Sequence, residues 1–133
     1  MASYFKKNLS VTRLTSGKLP SLPFLKLKEA VLDKKYELSI VFAGTNLSQK
    51  FNRKYRGKNK PANILSFPLS KTEGEIIISL AQARKEAPRF GMSYMSHLGS
   101  LLIHGMLHLK GYKHGKKMQM KETKLNKRFG FET

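Results

Sequence analysis

Apolar residues in this chain recur with two periods, and the switches between them mark off the elements. From Ser3 to Thr12, β-formers alternate loosely with polar residues, which predicts one strand at a sheet edge. Gly17 and Pro20 punctuate a loop. From Ser21 to about Lys34 the positions Leu22, Leu25, Leu27, Ala30 and Val31 fall at helical spacing, with Ser21 as the N-cap. Tyr36–Ala43, rich in β-branched and aromatic residues, predicts a strand. Gly44, Thr45 and Asn46 open a helix through about Tyr55. Its inward stripe is Leu47, Phe51 and Tyr55, and Lys50, Arg53 and Lys54 face out. Arg56-Gly57 ends it, and a flexible basic loop, Gly57 to Pro61, follows.

Asn63 to Pro68 reads as a short strand, and Pro68 argues against a central place in a sheet. Lys71 to Gly74 forms a turn into a further strand, Glu75–Ser79. Leu80 to about Ala87 is helical, broken near Pro88 and ended at Gly91. Ser93 caps a long helix to Lys110 whose apolar residues go nearly all round, as a buried helix requires. Lys116 to Arg128 predicts a basic helix with Met118, Leu125 and Phe129 inward. Strands and helices are intermixed with short connections, so the expectation is one α+β domain over residues 1–133 rather than a doubly wound sheet.

The buried helix carries the chemistry. Three of the four histidines, His104, His108 and His114, stand at H-x3-H-x5-H spacing. His104 and His108, four apart, share one helix face. Gly111 suits the left-handed C-cap from which the chain turns back to bring His114 over that face. Three imidazoles from a helix and its exit turn make an open site, the pattern of catalytic zinc with a fourth position for water or substrate. The spacing also matches the metzincin protease signature, but Gly105 stands where that pattern has its catalytic Glu. A glycine cannot act as a general base, which turns the reading away from peptide hydrolysis. His97, two turns earlier, is expected outside the metal shell.

Charge changes the picture further. Lys and Arg number 26 against 8 Asp and Glu, a formal net charge of +18. Residues 38–72 hold seven bases and no acid, and residues 110–128 hold eight bases and one acid, Glu122. Such a surface points to a polyanion, most simply RNA or DNA. There is no cysteine, which excludes thiolate metal sites and disulfides and suits a reducing compartment. No apolar run reaches the ~18 residues of a membrane span.

Two motifs, Tyr55-Arg-Gly-Lys-Asn-Lys-Pro-Ala-Asn-Ile-Leu-Ser-Phe-Pro68 and His104-Gly-Met-Leu-His-Leu-Lys-Gly-Tyr-Lys-His114, with Gly74-Glu-Ile-Ile-Ile-Ser79 between them, resemble the YbeY-type bacterial rRNA maturation endoribonucleases. The resemblance implies an α+β, metalloprotease-like (zincin-like) sandwich with a small mixed β-sheet. It implies a metal-dependent single-strand endoribonuclease of the cytoplasm, active in ribosomal RNA 3′-end (16S) maturation and ribosome quality control. RNA, the ribosomal subunit and ribosome-associated proteins are the implied partners. His104, His108 and His114 would hold one Zn2+, and Arg56 would be the functional arginine. The chain departs from the family pattern at Lys113 and Glu75 and in its basic rather than acidic last helix.

On this reading His114 and Arg56 are the catalytic candidates, Arg56 offering a planar fork that matches phosphate. Arg56, Lys58 and Lys60 would bind the RNA backbone. Two other readings stand beside it: an RNA- or ribosome-binding factor with a structural metal, and a metallopeptidase.

Overall fold

The N-terminal alternation folds back on itself. Ala2–Lys6 (β1) and Leu9–Arg13 (β2) pair antiparallel, where the sequence predicts a single strand. The chain reverses at Lys7, which takes a positive φ of 54°, and Asn8, whose side chain donates to the carbonyls of Lys34 and Lys35. That anchor lies 26 residues away, so no local pattern reports it. The computed structural model describes residues 2–132.

β2 lies parallel to Glu37–Ala43 (β3), and β3 lies parallel to Glu73–Ser79 (β5). β5 pairs antiparallel with Ile64–Ser70 (β4), giving the order β1-β2-β3-β5-β4. Pro68 therefore sits on an edge strand, where a residue without an N–H is tolerated, and the register slips beside it. The protein is α+β, with a small mixed sheet packed by helices.

One sheet face, carrying Leu9, Val11, Leu38, Ile40, Phe42, Ile76 and Ile78, is buried. It forms the core with the helices Phe24–Val31 (α1) and Tyr94–Lys110 (α4). In α4 the side chains of Leu98, Leu102, Ile103 and Met106 are fully buried. Each contributes about 1.5–3 kcal/mol relative to exposure. Ser93 caps the helix, its Oγ accepting from Ser96 N, and Gly111 closes it at φ 108°. The result is a fixed rod on which two half-buried positions, His104 and His108, are held in place.

Gly105 faces the sheet. Ser66 Oγ donates to its carbonyl at 3.0 Å, and a Cβ there would stand 2.7 Å from Ile64 Cδ1 and 2.9 Å from Ser66 Oγ. The position that a protease would give to its glutamate is here packed directly on β4.

Thr45–Arg56 (α2) lies on the opposite sheet face, where Phe67 meets the rings of Tyr55 and Phe51 at 5.0 and 6.4 Å. The expected stripe of Leu47, Phe51 and Tyr55 is only partly covered, and the buried positions of α2 are polar, Ser48 and Asn52. They hold the following loop: Ser48 Oγ donates to Ala62 O, and Asn52 Nδ2 donates to Lys60 O. The Gly57–Pro61 segment, expected to be flexible, is thus exposed but tied to α2.

α1 also differs from expectation. It begins at Phe24 after Pro23, and Ser21 does not cap it. Pro20 and Pro23 keep the intervening residues out of the helix. Leu80–Glu86 (α3) continues from β5 and passes at Pro88 into a 3₁₀ turn, Ala87–Phe90, ended by Gly91 as expected. Lys116–Phe129 (α5) follows the His114 turn, and Phe131 behind it packs on Gly99 of α4.

Candidate metal centre

His104, His108 and His114 converge, each offering a ring nitrogen within 4.8 Å of the other two. Their ring centroids stand 4.6 to 5.3 Å apart. The turn that carries His114 is built by Gly111, whose N–H donates to His108 O while Tyr112 N–H donates to Leu107 O. This glycine-closed helix end satisfies the last carbonyls and reverses the chain.

The orientation of each α4 histidine is set by its outer nitrogen. His108 Nδ1–H donates to the Tyr112 carbonyl at 3.0 Å. His104 Nδ1–H donates to Glu122 Oε1 at 3.1 Å, from α5. Both leave Nε2 turned inward, and the two Nε2 atoms stand 3.1 Å apart. Two ligands 2.0–2.1 Å from one tetrahedral ion stand about 3.3 Å apart, so the pair fits a shared metal. Burial pushes the His108 pKa below its ordinary value; the Tyr112 carbonyl opposes this, and His104 and His114 reinforce it. A neutral imidazole is the ligating form. The donor set is nitrogen only, with His114 exposed to solvent, as an open site requires.

Glu122 was not among the residues that the histidine spacing pointed to. Its signal was its isolation, the one acid in the eight-base segment 110–128. A carboxylate behind a ligating histidine fixes the tautomer and raises ligand basicity.

The histidines open into a cleft of about 650 Å³ that Arg56, Tyr55, Asn63 and Ser66 also line. Arg56, the last residue of α2, thus faces the same cleft as the three histidines. Lys58 and Lys60 are exposed on the tied loop and are not part of the cleft lining. The wall expected from that loop is made instead by β4 and the end of α2. His97 is buried and engaged elsewhere: Nε2 lies 3.2 Å from Glu86 Oε1, which also accepts from Asn63 Nδ2, and Phe90 stacks on the ring. It stands outside the histidine group, as expected.

Fold and site define an α+β protein with three converging histidines that could hold a metal, opening into a cleft that Arg56 also lines. Residues 12–130 match the family described as endoribonuclease YbeY, and the chain belongs to that family. It is 35% identical over 129 residues to the endoribonuclease YbeY of Bacillus licheniformis, covering 82% of this chain and 81% of the relative. It is 40% identical over 86 residues to the endoribonuclease YbeY of Persephonella marina, covering 59% of this chain and 56% of the relative. For the endoribonuclease YbeY of Geobacillus kaustophilus the identity is 37% over 94 residues, covering 59% and 60%. The chain therefore spans less than two thirds of the length of these last two relatives. The solution structure of TM1509 from Thermotoga maritima superposes with a TM-score of 0.59 at 23% identity, covering 90% of this chain and 88% of that one, a likeness of fold. No helix among the described residues is long and apolar enough to cross a membrane.

Proposed function

We propose that residues 1–133 form one catalytic domain, a zinc-dependent single-strand endoribonuclease acting in the cytoplasm on ribosomal RNA, in 16S 3′-end maturation and ribosome quality control. The observation that carries the reading is the shared cleft: a three-histidine group with its inner nitrogens converging, and Arg56 on the same wall. Family membership supplies the reaction class, and the +18 charge supplies affinity for a polyanion.

His104, His108 and His114 would hold the metal. When bound, zinc would supply Lewis-acid chemistry, polarising a phosphoryl oxygen and lowering the pKa of a bound water to about 7. The chain's own residues do the rest. Glu122 and the Tyr112 carbonyl hold the two α4 imidazoles in one tautomer. Arg56 places a guanidinium fork on a phosphate and neutralises charge that grows in the transition state. Lys58 and Lys60 extend the positive surface from that wall along the RNA.

A peptidase reading lacks its proton-transfer group, because Gly105 is buried against the sheet rather than turned to the histidines. The remaining rival is an RNA-binding factor with a structural metal. His108→Ala separates the two: loss of cleavage with RNA binding retained supports the enzyme. Equal RNA processing by the folded variant would leave the site a structural role.

A further inference from the structure

The side of α4 and α5 turned away from the metal cleft holds a second groove, about 340 Å³ in volume, walled also by α1. Its floor is apolar, Val31 and Leu107 being buried. Its rim is Lys110, Lys121, Lys124 and Arg128, with Tyr112 half-buried between floor and rim, and no acidic side chain lines it. Helical geometry accounts for the arrangement. At about 100° per residue, Lys121, Leu125 and Arg128 fall on one flank of Glu122, the residue that faces His104, and Leu107 and Lys110 fall on the matching flank of His104. The two ion pairs among the described residues are both His–Glu contacts, so none of the rim cations is neutralised by a carboxylate.

We propose that this groove is a second binding surface for single-stranded RNA, holding a segment of the same strand that the metal cleft would cut. The proposal rests on the endoribonuclease reading for the identity of that strand. Cations along a track beside an aromatic platform are the combination that binds single strands without sequence readout, phosphates on the rim and a base against the ring. Continuity favours RNA over an acidic polypeptide. Groove and cleft both adjoin α4, Leu107 and Lys110 lining the one and His104 and His108 the other, so a strand passing around that helix can reach both. The basic character of α5 then has a use.

The test compares two variants that each lose three positive charges: K121Q/K124Q/R128Q in the groove and K6Q/K18Q/K85Q elsewhere. Binding of a 2′-O-methyl oligouridylate long enough to span both surfaces is followed by fluorescence anisotropy between 50 and 200 mM salt, with circular dichroism to confirm folding. The groove variant should lower the log–log salt slope by about 2, equivalent to three lost phosphate contacts. Its affinity should then fall roughly 20-fold less than wild type across that range. The charge-matched control should move the slope by less than half as much. On all-ribose RNA of the same length the groove variant should raise KM and keep kcat. Equal slopes for the two variants would overturn the proposal. So would poly-glutamate or anionic vesicles displacing the RNA as well, charge for charge, as unlabelled RNA does. If wild type binds the RNA but does not cut the ribose version, the enzyme reading fails and the binding comparison still decides the groove.

Discussion

Glu122 Oε1 stands 3.1 Å from Nδ1 of His104, so the one acid of the basic C-terminal helix reaches behind the first of the three converging histidines. The contact joins two residues 18 apart on successive helices and gives α5 a role beside the histidines that its sequence pattern does not show. Removing such a partner typically costs 10–100-fold in metal affinity. Glu122→Ala should weaken zinc binding by that order in a chelator competition, with Glu122→Gln intermediate because it keeps an acceptor. Unchanged affinity in a folded Glu122→Ala protein would mean that the carboxylate is only a surface contact.

Arg56 and the three histidines line one cleft. Arg56→Lys keeps the charge and loses the fork, so cleavage should fall by ~10²–10³ and not be restored by the lysine. RNA affinity should drop far less, because many other bases supply the non-specific attraction. Cleavage and binding measured side by side for wild type, Arg56→Lys and Arg56→Ala check this; full cleavage by Arg56→Ala would reduce Arg56 to a helix-end residue.

Gly105 is where α4 touches β4, and any side chain there meets Ile64 and Ser66. Gly105→Ala should lower stability by about 1–3 kcal/mol through overpacking, read as a lower urea midpoint with the same slope. Gly105→Glu should create no peptidase activity, since its side chain would enter the helix–sheet interface. A stable Gly105→Glu protein that turned over casein would refute this account.

Glu73 and Glu37 pair across β5 and β3. A hydrogen bond with the Glu37 side chain, then burial and the charge of Glu37, hold the Glu73 carboxyl above its ordinary 4.5. The folded state therefore keeps the proton longer than the unfolded chain. Stability from this pair is present below the ordinary carboxylate pKa and is lost as pH rises through the raised one. Glu73→Gln should flatten that decline. Urea midpoints of wild type and variant should differ least in acid and diverge, in favour of the variant, as pH rises towards neutrality. Parallel profiles would remove the coupling.

The sequence by itself determined the elements whose signals are local. The α4 helix is legible because Ser93 supplies a cap, Gly111 a left-handed exit, and the residues between are apolar nearly all round. The histidine spacing is legible for the same reason, since four residues on a helix and a glycine turn leave few ways to place three rings. β3 and the edge position of Pro68 follow from composition and from a missing N–H. Only the tertiary structure decided what depends on contacts between distant parts of the chain. Residues 3–12 become a hairpin because Asn8 is anchored on Lys34 and Lys35, and α2 buries Ser48 and Asn52 because a loop needs its carbonyls satisfied. Gly105 is a contact with β4 rather than a lost glutamate, and Glu122 serves His104, because the packing of α4 against the sheet and α5 sets both. Local periodicity states which face of an element is apolar. Which element it meets, and which polar group is left to be paired there, is settled by long-range packing that periodicity does not encode.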